Sequence, residues 1–274
     1  MYEEVLFCRW YEAFPLPTCL PEVSALDVSS GLRLVLGESL SNTYPYLVLS
    51  YRWGKGRPFV LNQANLRECQ DHISFHLLPK TIKDTITVTR RLVYCYLWVD
   101  SLCIIQDSRE DWTELAAHMG EIYSNGLSTI AATHARASTI SCFTERNPLS
   151  YLPCRTFGSR SNGVYVCQSK DSQGMDLLFQ NFVDEAPLNR RVWVVQERLL
   201  SRRILHFTSH GLFWECSDLQ AFDSNPTGVR VRSGLRHNLR GLLKPGQRGW
   251  RYKQPSRLTR IVQGKVDENA SDRQ

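Results

Sequence analysis

The sequence predicts an α/β fold: a mostly parallel sheet flanked by helices, with a C-terminal β-hairpin extension. Two observations carry this. Between Tyr44 and Thr133, apolar runs of strand length alternate with helical stretches, an order that favours a parallel sheet covered by helices. Within that span, Tyr94 to Thr133 reads as a complete strand–helix–strand unit. It runs from the apolar Tyr96 to Val99, ending on Asp100, through a polar turn at Gln106 to Asp111 and an amphipathic stretch at Trp112 to Tyr123. Gly126 and a second apolar run, Leu127 to Ala132, close it. Asp100 then sits at the carboxyl end of its strand, where ligands collect in open α/β sheets.

The elements follow in order. Residues 1 to 43 form an N-terminal arm in which Pro15, Pro17 and Pro21 interrupt any helix, while Gly31 to Leu36 alternates like one short edge strand. Tyr44 to Trp53 is a buried-strand pattern, ended by Gly54, Gly56 and Pro58. Asn62 to Ile73 reads as a helix with Leu66, Cys69 and Ile73 on one face. Leu78 to Leu92 is a clearer one, with Pro79 in its first turn and Lys80, Lys83, Asp84 and Arg90 on its polar side. In the central helix Ser108 and Asp111 form a capping pattern, and Trp112, Leu115, Ala116, Met119, Ile122 and Tyr123 make the apolar stripe. Gly126 stands where a left-handed cap would be.

Ala135 to Ser161 is loop-like, Val164 to Gln168 a short strand, and Leu188 to Leu200 a helix. Arg203 to Phe207 and Gly211 to Glu215 read as a hairpin turning at Thr208 to His210. Beyond residue 216 apolar periodicity fades into Gly, Pro, Arg and Ser, the composition of a poorly ordered tail.

Composition narrows the class. The chain has 274 residues, 42% hydrophobic and 22% charged, which fits a globular protein able to bury a sizeable core. The N-terminus has no basic start and no apolar core like a secretory signal, and no run approaches the roughly 18 apolar residues of a membrane span. A cytoplasmic protein is expected. Nine cysteines without CxxC spacing suggest reduced, mostly buried thiols, with Cys95 and Cys103 in the core. The net charge of +6 is concentrated in the tail: residues 217–274 carry 12 Lys plus Arg against 5 Asp plus Glu. No DNA-binding motif accompanies that charge, so nucleic acid is not the expected partner.

Several long segments together resemble the fungal heterokaryon incompatibility (HET) domain. They are YLVLSYRWG (46–54), LPKTIKDTITVTRRL (78–92), YLWVDSLCIIQDSREDW (96–112), MGEIYSNGLSTIAAT (119–133) and RRVWVVQERLLSRRILHF (190–207), closed by WEC (214–216). The resemblance covers residues 44–216. It implies a role in non-self recognition when fungal cells fuse, with programmed cell death as output. HET domains are in turn thought to be distantly similar to TIR domains, which implies a TIR/flavodoxin-like core. Many TIR domains cleave NAD⁺ with a glutamate, so NAD⁺ enters as a substrate and no cofactor is required. Control by self-association or by an upstream recognition protein is implied too.

Glu114 is the first candidate for the catalytic carboxylate, because Trp112-Thr-Glu114-Leu resembles the segment around the TIR glutamate. A carboxylate there would stabilise the oxocarbenium-like ribose left as nicotinamide departs. On the residues alone, a solvated glutamate favoured by the helix dipole is the plainer reading of Glu114, and only the resemblance sets catalysis level with it. Glu197 is the reserve carboxylate, and an ion pair with Arg191 or Arg198 is its plainer use.

Ser50, Tyr51, Arg52, Trp53 and Gly54, at a strand end, could approach a ribose, a diphosphate or a nicotinamide ring, or form a tight turn capped by a packed tryptophan. Asp100, Gln106 and Asp107 flank the same face, where Asp100 either bonds ribose hydroxyls or caps its own turn. Cys69, His72 and His76 have metal-like spacing but no evident fourth ligand, and incidental helix histidines are the simpler reading. A non-enzymatic signalling module is the second function class the sequence admits. Geometry separates the two: an enzyme requires Glu114, Ser50, Trp53 and Asp100 to converge on one cleft.

Overall fold

The computed structural model describes residues 16–23, 32–40, 44–56, 58–145, 154–158, 164–166, 172–223 and 225–230. In chain order the strands are β1 (Cys19–Glu22), β2 (Arg33–Leu36), β3 (Tyr46–Ser50), β4 (Tyr96–Trp98), β5 (Ser128–Ala131), β6 (Cys154–Phe157), β7 (Val164–Val166), β8 (Arg203–Phe207), β9 (Leu212–Cys216), β10 (Leu219–Phe222) and β11 (Asn225–Arg230). The helices are α1 (Leu66–Asp71), α2 (Lys80–Arg91), α3 (Asp100–Cys103), α4 (Arg109–Asn125), α5 (Ser172–Phe179) and α6 (Val192–Leu200). Nine strands form one sheet in the order β11-β10-β9-β8-β5-β3-β4-β1-β2, and β6 and β7 pair separately.

The sheet is mixed rather than mostly parallel. Its parallel part is the central quartet β4-β3-β5-β8. Parallel neighbours need long crossovers, and the helical segments after β3, β4 and β5 provide them. After β8 the chain turns back directly: Thr208 donates its backbone N–H to the Gly211 carbonyl at 3.1 Å. Therefore β9, β10 and β11 follow antiparallel.

The expected C-terminal hairpin is thus no extension. Its first strand, β8, is the fourth parallel strand, and the sheet runs on through Arg230, past the point where apolar periodicity fades. At the far edge the arm supplies two strands instead of one. Pro21 is tolerated in β1 because that strand meets β4 at a single register position, Glu22 opposite Tyr96. The remaining tail, 231–274, lies outside the described residues.

The strands β3, β4 and β5 are buried along their whole length, the mark of a sheet covered on both faces. Trp98, Tyr46, Leu47, Leu49 and Leu97 are its fully buried centre. Helix α2 turns Ile82 and Ile86 inward and buries three threonines beside them. Two of these back-bond one turn earlier, Thr85 to the Thr81 carbonyl (2.8 Å) and Thr89 to the Thr85 carbonyl (2.9 Å), which satisfies their hydroxyls.

Asp84, expected on the polar side, is buried instead. It accepts from Ser141 Oγ (2.6 Å), the Cys142 amide (2.9 Å) and Lys80 Nζ (2.6 Å), tying α2 to the loop after β5. The predicted 62–73 helix shortens to α1, because Asn62 and Asn65 bond each other's amides in a turn ahead of it. Cys103 is buried as expected, but Cys95 is exposed.

Helix α4 starts as its capping pattern predicts, with Ser108 Oγ accepting the Asp111 amide at 3.2 Å. Its end differs. Gly126 has φ −58, so it is no left-handed cap. The glycine is required by packing, since a Cβ there would lie 2.6 Å from Val48 Cγ2. Trp112, placed in the apolar stripe by spacing, is 52% exposed.

Helix α6 packs on α4 at Gly120, where an added Cβ would meet Leu200 Cδ1 at 3.1 Å. Arg198 anchors α6 to the sheet, forking onto Glu215 of β9 at 2.7 and 3.0 Å. Glu215 is fully buried, and Arg198 together with His206 holds its carboxylate well below the usual range against the opposing effect of burial.

Two substitutions test these assignments. Val93, just past α2, is 86% exposed and holds φ 62, a left-handed conformation costly for a β-branched residue. Val93→Gly should raise stability by about 1 kcal/mol in urea denaturation. Glu215→Ala should lower it by about 3 kcal/mol, because Arg198 loses its buried carboxylate partner and keeps only the exposed Asp184.

Candidate functional site at the strand ends

The carboxyl ends of β3 and β4 carry a cluster of polar side chains inside an otherwise apolar interior. Ser50, last residue of β3, donates its hydroxyl to Glu197 Oε2 at 2.5 Å. Tyr51 donates its hydroxyl to Ser101 Oγ at 2.8 Å, and its carbonyl accepts from Arg191 at 2.8 Å. Trp53 donates its indole N–H to Asp100 Oδ2 at 2.8 Å, while Asp100 Oδ1 accepts the Ser101 amide at 2.6 Å. Tyr123 of α4 completes the group. Its hydroxyl donates to the Leu49 carbonyl at 3.4 Å and lies close enough to Glu197 to influence its acidity.

Why these residues meet follows from the topology. The alternation of β3 places Ser50 at its last position, and α6 crosses the strand ends with Glu197 turned toward it. Arg191, at the start of α6, holds the β3 end by its backbone. Gly54 turns the chain away with φ 82, and a Cβ there would collide with Ala137. The Ser138 hydroxyl then latches onto the Trp53 carbonyl at 2.9 Å.

The electrostatics are unusual for glutamate. Burial pushes the Glu197 carboxyl up to about 7 from 4.5; the Ser50 hydrogen bond opposes this and the nearby Asp100 charge adds to it. Arg191 and Tyr123 favour its ionised form. Burial also raises Asp100, against its bonds from the Trp53 indole and the Ser101 amide and the nearby Tyr51 hydroxyl and Arg191 charge. Tyr51 and Tyr123 are raised well above the ordinary phenol value by burial first and by these carboxylates second. Two carboxyl groups whose surroundings set them apart in acidity are the usual means by which one site offers both protonation states near neutrality.

Of the residues singled out in the sequence, Ser50, Tyr51, Trp53 and Asp100 come together here, and Glu197 joins them. Arg52 points elsewhere, donating to the Pro187 carbonyl at 3.4 Å. Gln106 donates to the Asp100 and Ile104 carbonyls at 3.2 and 3.0 Å, and Asp107 accepts the Gln63 amide at 2.9 Å. Those two brace the loop and do not enter the cluster.

Glu114 does not converge with the others. It is exposed and lines a shallow depression with Leu16, Thr18, Tyr46 and His118. Tyr46 opens β3 and Ser50 closes it, about 13 Å away at the other end of the strand. Cys69 is buried while His72 and His76 are exposed, so that spacing brings no ligands together. Sequence reasoning missed Tyr123, read only as part of an apolar stripe, and Arg191, read only as an ion-pair partner.

Residues 46–197 match the family described as heterokaryon incompatibility protein (HET). The match covers more than half of the chain. The chain belongs to the HET family. The matched span opens at the first residue of β3 and closes on Glu197, so the HET domain holds both halves of the cluster. Neither a curated protein nor a solved structure matches the chain significantly. No described helix of this HET protein is long and apolar enough to cross a membrane.

The acidity of Glu197 makes a stability prediction. Its folded pKa of about 7 lies above the usual 4.5, so the fold favours the neutral acid. That contribution is intact below about pH 4.5 and is lost as pH rises through about 7. Glu197→Gln, neutral throughout, should gain stability over the parent in this window, on the order of 3 kcal/mol by about pH 8. Urea denaturation at about pH 5 and about pH 8 reads the difference. A gap that does not widen would mean the carboxylate is not desolvated.

Proposed function

We propose that this HET domain is an effector of fungal non-self recognition and cell death that acts by hydrolysing NAD⁺, with Glu197 as the reacting carboxylate. The observation that carries the reading is the Ser50–Glu197–Tyr123 contact, with Asp100 and Trp53 beside it, at the carboxyl ends of parallel strands. In chain order the parallel quartet β4-β3-β5-β8 runs second-first-third-fourth, which is also the opening order of the flavodoxin-like sheet. That order supports kinship with TIR domains, although the antiparallel strands on both sides go beyond such a core.

The chemistry needs little from the protein. Breaking the bond between ribose C1′ and the nicotinamide nitrogen returns the electron pair to that nitrogen and leaves a neutral base. No general acid is required for its departure. The ribose becomes oxocarbenium-like, and the ionised Glu197 carboxylate stabilises that positive charge in a site of low dielectric. Water then adds to C1′ and gives its proton to Glu197, yielding ADP-ribose, nicotinamide and one proton. Ser50 orients the carboxylate through its hydroxyl, Tyr123 lies beside it, and Trp53, fixed by Asp100, offers a ring for the nicotinamide.

Self-association or an upstream recognition protein is part of this proposal as the control on activity. Exposed Trp112 and Trp193, 52% and 55% accessible, are suitable anchors for such contacts.

Nicotinamide release from NAD⁺ by assembled protein is the test. Glu197→Ala should lose at least about 100-fold in turnover. Glu114→Ala should retain activity, since that residue lies outside the cluster. Because the carboxylate must be ionised, kcat/KM should rise with pH through about 7 and level off above it. Full activity in Glu197→Ala would remove Glu197 from the reaction, and absence of nicotinamide release by the assembled parent would remove the hydrolase reading and leave a signalling module.

A further inference from the structure

On its other side the β3 strand end borders a cleft of about 550 Å³ whose lining includes Arg52, His134, Arg136, Glu185, Arg190 and Ser209. Three parallel strands deliver these groups at their carboxyl ends: Arg52 follows β3, His134 and Arg136 follow β5, and Ser209 follows β8. The connection after β3 leads to β4 on one side and that after β5 leads to β8 on the other, so the strand order reverses between them. In open α/β sheets this is the crevice that receives ligands.

The charge in the cleft is uncompensated. Arg52 donates only to the Pro187 carbonyl, and Arg190 donates through Nε to the Glu185 carbonyl at 3.2 Å. Among the described residues none of Arg52, Arg136 and Arg190 makes an ion pair, whereas Arg33 and Arg198 are both matched to carboxylates. Glu185 is the lone acidic residue among the lining groups. Like charges gathered in a concavity repel one another, and an anion with several acceptor oxygens turns that repulsion into attraction.

We infer that this cleft binds the diphosphate of a nucleotide, recognised by Arg52, Arg136 and Arg190. The volume falls within the usual range for small-molecule sites and exceeds what a single phosphate fills. Planar guanidinium forks suit adjacent phosphates, which offer paired oxygens on both groups. The nucleotide part of the assignment rests on the NAD⁺ reading above; the anion site does not. The two sites share a wall: Arg52 lies between Tyr51 and Trp53, and Arg190 precedes Arg191.

Calorimetric titration of the full chain with ADP, pyrophosphate and adenosine tests the assignment. ADP carries no nicotinamide bond, so its binding is independent of turnover. ADP should bind, pyrophosphate should compete with it, and adenosine should bind at least about tenfold more weakly. Arg136→Ala and Arg190→Ala alter exposed side chains and should each weaken ADP by roughly tenfold. The proposal is overturned if adenosine binds as well as ADP, if pyrophosphate fails to compete, or if both variants keep the parent's affinity. Intact ADP binding without NAD⁺ hydrolysis would remove the hydrolase and leave the cleft. Hydrolysis with an unchanged KM in both variants would do the reverse.

Discussion

Everything at the strand ends depends on where α6 lies, and α6 is held by the residue next to the one that matters. Arg198 forks onto buried Glu215 and also reaches Asp184 at 2.6 Å, so the helix cannot roll without breaking charge-assisted bonds. At its C-terminal end Ser201 meets Thr129 of β5 at 2.6 Å, and Leu200 fills the space left by Gly120. Between these fixings Glu197 has one place to go, over Ser50. A buried ion pair often gives little net stability against an apolar replacement, because its partners must be desolvated. What Arg198 and Glu215 supply here is position. Glu215 belongs to β9, so the antiparallel half of the sheet fixes the helix that completes the site on the parallel half.

Position has an electrostatic cost. Asp100 and Glu197 are two carboxyl groups within mutual influence in a desolvated interior, with Arg191 as the neighbouring cation. Asp100 spends both oxygens on the Trp53 indole and the Ser101 amide, bonds that favour its ionised form. Glu197 has a hydroxyl donor in Ser50, with Tyr123 and Arg191 nearby, and burial raises it to about 7. A fold selected for stability alone would have little reason to keep a glutamate there, since a glutamine could accept the same bonds without charge. An ionisable group whose ionised form the fold disfavours is the pattern expected of sites that do chemistry.

What the sequence revealed follows from range. The trio β3, β4 and β5 was legible because fully buried strands read as unbroken apolar runs, and α2 and α4 announced themselves by periodicity and by the Ser108 cap; β8 was read as a strand, but as half of a hairpin rather than as the fourth parallel strand. The mixed edges were not. Strand β11 contains Pro226 and Gly228, which look like turn residues until β10 is beside them, and Gly228 is needed at φ 64 where Gln220 and Ala221 crowd it. On α4 the buried positions are Leu115, Ile122 and Tyr123, which leaves Trp112 outside the stripe its spacing suggested; Glu114, chosen by resemblance rather than by spacing, lies outside it as well. The Ser50–Glu197 contact spans 147 residues. Spacing within a segment cannot reveal such a pair; only the sheet order and the crossing of α6 create it.

One short stretch therefore serves as a partition. Ser50, Tyr51 and Trp53 give their side chains to the carboxylate cluster, whereas Arg52 faces the cationic cleft, and Arg191 and Arg190 divide in the same way on α6 and the turn before it. The cluster and the cleft have opposite requirements. A carboxylate that must act on a developing cation gains from exclusion of water, because the lower dielectric strengthens that interaction. An arginine cluster that must capture an anion from solution gains from exposure and from a field reaching outward. The chain leaves the strand after Ser50, and the turn of residues 51–54 places these two environments next to each other. That turn ends at Gly54 and is held where the Ser138 hydroxyl latches onto the Trp53 carbonyl.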